Sequence, residues 1–292
     1  MPDLNLLLER CDFPAAGTDV VCGLSGGPDS TALVALATAA GCRVTAVHVH
    51  HGLRDEADHD AEVARASAER LDARFRVVHV DLDDGPNLEA RARAARRAAL
   101  GPDAMTGHTA DDQAETLLLA LIRGAGTPGL AAIAPGPTHP ILALRRRDTV
   151  AVCAHLELPV AHDSSNDELR FRRNRVRHEL VPLLDEIAER DVTVLLARTA
   201  GLLRDDECLL MDLAAGIDPT DVHELLAAPR PLAARALRRW LELDGYPPDS
   251  ASVTRVLAVA NGDVSACQVA GGRRVERRNG RLEVSAPGGD TE

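Results

Sequence analysis

Short runs of β-branched residues alternate with longer alanine- and leucine-rich stretches through the first part of the chain. Thr18–Val21, Arg43–Val49 and Phe75–Val80 have the length and composition of buried strands. Between them, Thr31–Ala40 is an Ala/Leu run of helical character ended by Gly41, and Glu56–Leu71 carries apolar positions at helical spacing. Asn87–Leu100 reads as a helix studded with Arg91, Arg93, Arg96 and Arg97. Asp103–Gly107 reads as a short fourth strand, and Ala110–Arg123 as a strong helix with Gly124 past its end. Strands and helices alternating at this spacing predict an α/β fold, a doubly wound parallel sheet covered on both faces.

The pattern changes further on. Gly124–Pro140 is rich in Gly and Pro and predicts a long irregular loop able to close over a site. Arg145–Glu157 looks helical, and the polar stretch His162–Asn166 begins another helical segment. From Leu180 to Ala215, and again from Pro231 to Leu243, the pattern is helical. Residues 271–284 predict a hairpin, with Asn279-Gly280 as its turn. The expected organisation is a catalytic domain over residues 1–188, then a smaller, mainly helical domain over 189–292 that ends in the hairpin. The tail from Ser285 is expected to be disordered.

Composition narrows the class. The chain has 292 residues and 45% hydrophobic content but only 2% aromatics, so Leu, Val and Ala must fill its core. Six scattered cysteines without a C-x-x-C pair favour reduced thiols in a cytoplasmic protein over a zinc ribbon or an iron–sulfur cluster. No apolar run approaches a membrane span, and Met1–Arg10 lacks the pattern of a signal peptide. A net charge of −12 argues against non-specific nucleic-acid binding, so an RNA partner would meet local basic patches. The chain contains no lysine; arginine supplies all 33 basic residues.

Candidate chemistry begins at Cys22–Ser30. A strand, the turn Ser25-Gly26-Gly27-Pro28-Asp29-Ser30 and a helix N-terminus form an anion site in which unpaired N–H groups and the helix dipole face a phosphate. Without a Gly-Lys-Ser/Thr or a G-x-G-x-x-G the loop is neither a Walker A nor a dinucleotide fingerprint. Asp29 beside phosphates makes sense through Mg²⁺ or a specific hydrogen bond. A second motif, Gly107-His108-Thr109-Ala110-Asp111-Asp112-Gln113-Ala114-Glu115, places Asp112 and Glu115 on one helix face. They would repel unless a cation lies between them, either Mg²⁺ or an ammonium group; the bland alternative is acids complementing a helix dipole. The third is Asp163–Asn166 followed by five arginines in the eight residues Arg170–Arg177, with Phe171, Arg173, Asn174 and Arg175 among them. This patch suits phosphates, whereas Phe171 is better read as a core anchor. Arg273, Arg274, Arg277, Arg278 and Arg281 on the hairpin suit an RNA contact or an exposed ribbon equally.

The loop resembles that of the N-type ATP pyrophosphatases. The ordered set of loop, His51-Gly-Leu-Arg54, Gly-His-Thr-Ala-Asp-Asp-Gln-Ala-Glu-Thr, Leu121–Gly126, Asp-Ser-Ser-Asn and Arg173–Pro182 is similar to the tRNA(Ile)-lysidine synthetases over residues 18–185. The resemblance implies ATP-driven adenylation of the wobble cytidine of a tRNA(Ile) with a CAU anticodon, then attack by free L-lysine. It implies ATP held by Ser25–Ser30, and Asp29, Asp112, Glu115 and His108 as catalytic residues. Mg²⁺ would sit on Asp29 and Asp112, and Arg93, Arg173, Asn174, Arg175 and Arg177 would meet tRNA or ATP. The family often has a tyrosine where Arg97 follows Arg93 and Arg96, and the chain resembles the short form without a further C-terminal domain. Oligomeric state stays open, a homodimer included. Rival readings are another adenylating enzyme of this loop class (tRNA 2-thiolation or amide synthesis) and a non-catalytic ATP sensor. The first lacks paired cysteines or a glutaminase domain here; the second would dispense with Asp112 and Glu115.

Overall fold

Three parallel strands, β1 (Asp19–Gly23), β2 (Arg43–His50) and β3 (Arg74–His79), form a sheet of order β1-β2-β3. The computed structural model describes residues 3–50, 57–80, 88–161 and 168–286. The expectations for His51–Arg54, for Asp163–Asn166 and for the extreme tail lie outside these residues. In chain order the helices are α1 (Leu4–Leu8), α2 (Pro28–Ala39), α3 (Ala57–Arg70), α4 (Leu88–Leu100), α5 (Ala110–Ile122), α6 (Thr127–Leu130) and α7 (Arg146–His155). They continue with α8 (Arg172–Arg175), a π-helical turn Val176–Leu180, α9 (Val181–Ala188), α10 (Val192–Ala215), α11 (Val222–Ala227), α12 (Arg230–Trp240) and α13 (Ser250–Asn261).

The predicted fourth strand is reduced to one parallel bridge, Cys22 to Met105. Both main-chain groups of Met105 bind β1, its N–H to the Val21 carbonyl at 2.8 Å and its carbonyl to the Gly23 N–H at 2.9 Å. The chain then leaves the ladder because Gly107 must pass the backbone of Asp29, where a Cβ would stand 2.6 Å from the carbonyl oxygen. Helices α2 and α3 pack on each other and on the sheet, and α4 packs on β1 and β2 as it returns the chain past β1; the right-handed rule for parallel crossovers assigns α4 to the opposite face. Strand order therefore reverses beside β1, the switch point where open α/β sheets bind ligands.

Residues Thr31–Ala37 of α2 are all buried, between the sheet and α7. That explains an Ala/Leu run with no polar face. The Gly/Pro-rich segment after α5 is not loose throughout. The buried Gln113 side chain both donates to the Ile133 carbonyl and accepts from its N–H, each at 2.7 Å. The Thr138 carbonyl accepts from Thr106 N–H at 2.9 Å.

By backbone proximity the chain divides into two units, Met1–Leu203 and Arg204–Glu292, with the division falling inside α10. The second unit packs α11, α12 and α13 with an antiparallel sheet of β4 (Ala266–Gln268), β5 (Arg274–Arg278) and β6 (Arg281–Ser285). Its core includes Leu225, Leu237, Leu241, Val256, Val275 and Leu282. The predicted hairpin is β5–β6, turned by Asn279 and Gly280, both at positive φ (49° and 78°). Ser285, assigned to the tail from sequence, is the last residue of β6 and pairs with Arg274. Sequence patterning missed β4 and α13, whose N-cap Asp249 accepts from Ser252 N–H at 2.7 Å.

Gly107→Ala is expected to destabilise by about 1–3 kcal/mol, because the obstacle is backbone. Gly201→Ala, in α10 with open space around it, should instead gain up to ~1 kcal/mol. Urea unfolding of both variants checks the pair.

Candidate active site

The Ser25–Ser30 turn is organised by hydroxyls. Ser30 Oγ accepts from Ser25 N–H at 3.1 Å, lies 3.0 Å from Ser25 Oγ and donates to the Gly27 carbonyl at 2.9 Å. Gly26 has φ 94°, a left-handed conformation that favours glycine, and its carbonyl accepts from Ala161 N–H at 2.8 Å. Gly27 is the N-cap of α2 without any side-chain cap, and Pro28 opens the helix. This leaves first-turn N–H groups directed out of the helix end, as an anion site requires.

Asp29 sits in that first turn. Its Oδ2 accepts from Arg146 Nε at 3.1 Å, and its Oδ1 accepts from the Thr149 hydroxyl. The same guanidinium reaches Glu115 Oε1 through Nη1 at 3.1 Å and Asp112 Oδ1 through Nη2 at 3.3 Å. Arg173 adds bonds to Glu115 Oε2 at 2.6 Å and Asp112 Oδ1 at 2.7 Å. Arg177 bonds Glu115 at 2.7 and 3.2 Å. Three carboxylates thus face three guanidiniums, and Glu115, 1% exposed, is shared by all three. The cation that the Asp112–Glu115 pair demands is, in the free protein, arginine from its own chain.

Local structure puts each group there. Thr109 N–H and hydroxyl both donate to Asp112 Oδ2 at 2.8 Å, a capping box that fixes one Asp112 oxygen and turns the other inward. Asp111 faces a different partner. It accepts from Arg145 Nε at 3.0 Å and from Arg146 N–H at 2.8 Å, so it caps the N-terminus of α7. Pro182 has no N–H to continue the helical ladder, and the Val181 N–H reaches back to Val176, giving the π-helical turn. Arg173 and Arg177, four residues apart, both meet Glu115, whereas Arg175 points to solvent and pairs with Glu179 at 2.8 Å.

Burial pushes the Asp29 carboxyl up, and the nearby Asp112 charge reinforces this against Arg146 and Thr149, leaving it above its usual value. Burial also works against ionised Asp112 and Glu115. There the guanidiniums win, Arg146 and Arg173 at Asp112 and Arg177 with Arg173 at Glu115, and both carboxyls are held below the usual range.

The arginine patch read from sequence is therefore divided. Arg173 and Arg177 turn inward, Arg170, Arg172 and Arg175 are exposed, and buried Asn174 donates to the Glu168 carbonyl at 3.0 Å. Phe171 is exposed (38%), under the Arg170 guanidinium, so it is no core anchor. His108 stands beside the carboxylates with Nδ1 2.8 Å from the Thr106 hydroxyl and its ring edge-on to His139. Arg93 lies on α4, its side chain outside the described set. Arg146, Arg145 and Thr149 escaped the sequence reading. One signal was present: three consecutive arginines, 145–147, at the positive end of a helix, where the dipole disfavours them. Three of the five hairpin arginines bond within the fold, while Arg274 and Arg278 are exposed. Arg277 donates to the Ala260 carbonyl at 2.8 Å, Arg273 to those of Leu241 and Ala270, and Arg281 pairs with Asp218 at 2.8 Å.

Residues 5–184 match the PP-loop domain family, and residues 221–283 match the TilS substrate binding domain. Together with the glycine turn at the switch point, this makes the chain a PP-loop protein. The U34-tRNA thiolase NcsA from Methanococcus maripaludis, with 16% identity, 69% of this chain and 77% of that one covered and a TM-score of 0.57, shares the fold. Nearer relatives are tRNA(Ile)-lysidine synthases. That of Nocardia farcinica is 42% identical over 245 residues (78% of this chain, 77% of that one), and that of Cutibacterium acnes is 38% identical over 285 residues (91% and 90%). The Mycobacterium tuberculosis enzyme is 40% identical over 260 residues (82% and 77%). The chain belongs to the tRNA(Ile)-lysidine synthase family.

Glu115→Gln takes from Arg177 the carboxylate it bonds and from Arg146 and Arg173 one partner each, and should cost up to about 3–5 kcal/mol at pH 7. Because the folded Glu115 pKa is depressed, its stabilisation is complete above the unfolded value of ~4.3 and is lost as pH falls through the folded one. The gap in urea-unfolding stability between wild type and Glu115→Gln should therefore narrow below about pH 4.

Proposed function

We propose that the chain ligates lysine to C2 of the wobble cytidine of tRNA(Ile) bearing a CAU anticodon, forming lysidine and changing the decoded amino acid from Met to Ile. The observation that carries this reading is the convergence of Asp29, Asp112 and Glu115 at the switch point of a chain in this family. In the first half-reaction the cytidine O2 attacks the α phosphorus of ATP and pyrophosphate leaves. In the second, the ε-amine of free lysine forms the C2–N bond, and AMP leaves with the oxygen. A chain without lysine forms no lysyl-AMP of its own, so the adenylate is most simply carried by the tRNA.

In this scheme the α2 N-terminus and the hydroxyls of Ser25 and Ser30 hold the departing pyrophosphate. Asp112 and Glu115 hold the lysine ammonium before it sheds its proton, and His108 lies near the developing charge. Among the described residues no cluster of three or more His, Cys, Asp or Glu could hold a metal. Mg²⁺ needs only one or two carboxylates when phosphates and water complete its shell, and Asp29 and Asp112 already converge on one cation, Arg146. They fit Mg²⁺ as hard oxygen donors, and the ion would neutralise phosphate charge there. Exposed Arg172 and Arg175 suit tRNA phosphates. Among the described residues no helix is long and apolar enough to cross a membrane, and the tRNA substrate of this reading supports a cytoplasmic reaction. The 2-thiolation, amide-synthesis and sensor alternatives gain no support from this geometry.

Labelled lysine should enter transcribed tRNA(Ile) with CAU only when ATP is present; absence of incorporation under any condition would refute the reading. Asp29→Ala should abolish pyrophosphate release while leaving the fold intact by circular dichroism, and near-normal release would remove Asp29 from the site. Replacing Arg172 and Arg175 with Gln should flatten the salt dependence of tRNA binding by about 0.7–0.9 in log–log slope per lost phosphate contact. ATP binding without tRNA should change less.

A further inference from the structure

Arg146 joins two groups of acids that otherwise have separate partners. Arg173 and Arg177 reach Asp112 and Glu115, but among the described residues Arg146 is the cation bonded to Asp29. Its Nε, Nη1 and Nη2 are each committed to a different carboxylate at 3.1–3.3 Å, from α2 in one case and α5 in the other two. The side chain is only 23% exposed, and Asp29 and Asp112 are 22% and 11% exposed. A guanidinium in the first turn of α7 opposes the helix dipole. Asp111 and Asp148, which accept from the N–H groups of Arg146 and Arg145, carry that cost.

A divalent cation serving Asp29 and Asp112 would need the same oxygens. We propose that Arg146 is a positioning residue that stands in for the divalent cation of the ATP site, holding the Asp29 and Asp112 carboxyl groups convergent until Mg²⁺ and nucleotide take those oxygens from it. This rests on the reading of Ser25–Ser30 and Asp29 as the ATP site. The exchange conserves local charge: the acids pass from guanidinium to metal, and the released planar fork matches the phosphate oxygens that arrive with the metal. It also explains how a buried and a part-buried carboxylate can be preorganised for a metal without collapsing or repelling one another in its absence.

The test compares thermal unfolding of wild type, Arg146→Gln and Arg147→Gln as Mg²⁺ is titrated without nucleotide. Arg147 is the neighbouring exposed arginine, 3.6 Å from Asp191 and on none of the three carboxylates. Arg146→Gln should lower the midpoint, and Mg²⁺ should restore it at concentrations about tenfold below any that affect wild type or Arg147→Gln. Arg146→Lys keeps the charge but not the three-way fork and should respond between the two; it also decides the matter if Arg146→Gln does not fold. If Mg²⁺ restores nothing to Arg146→Gln, or stabilises Arg146→Lys no better than Arg147→Gln, then Arg146 is a structural ion pair and the proposal is overturned. A separate arm adds Mg²⁺ with a non-hydrolysable α,β-methylene ATP to wild type. Failure to stabilise there refutes the ATP-site reading itself, whatever the metal-only arm shows.

Discussion

The first unit depends on neutralising three carboxylates in one largely enclosed place. Two like charges 4 Å apart at an effective dielectric of ~20 repel by about 4 kcal/mol, and burial adds a desolvation penalty for each. Asp29, Asp112 and Glu115 tolerate this because Arg146, Arg173 and Arg177 supply matching charge through hydrogen bonds of 2.6–3.3 Å. Such a cluster gains little stability over an apolar core of equal volume, yet breaking it is costly. Its value is geometric: each oxygen has a fixed direction before any substrate arrives.

That requirement explains several backbone features. Gly107 lets the chain leaving Met105 pass against Asp29, bringing the α5 carboxylates to the end of α2. Gln113 pins the loop after α5, so the first turn of the helix carrying Asp112 and Glu115 is held from both the preceding and the following segment. Asp111 fixes the start of α7 and, through it, Arg146. The π-helical turn set by Pro182 begins where Arg177 meets Glu115. Irregular backbone at such a place trades helix regularity for side-chain aim.

The second unit uses arginine differently. On the hairpin, Arg273 and Arg277 donate to main-chain carbonyls at the ends of α12 and α13, acting as struts between sheet and helices. Arg235 forms a buried pair with Glu207. With no lysine in the chain, one residue type must serve as strut, counter-ion and nucleic-acid contact. Its abundance in a segment therefore says little about which role a given arginine takes.

Periodicity and turn chemistry determined the strands of the sheet, helices α2 to α5, the α7 region and the Asn279-Gly280 hairpin, because the type of each element follows from side-chain spacing and turn residues along a short stretch, even where the strands then pair with residues far off in sequence. The glycine turn at Ser25–Ser30 and the paired acids of α5 were legible for the same reason: spacing alone puts phosphate-facing N–H groups, or two carboxylates, on one side. Tertiary structure decided what those acids face. Asp29 and Arg146 lie 117 residues apart, and Glu115 and Arg177 lie 62 apart, so no local pattern links them. It also sorted the arginines of 170–177 into inward and outward sets and cut the fourth strand to a single bridge. A charge read along a chain has no partner until the fold brings one within hydrogen-bonding distance, and burial then decides how much that partner matters.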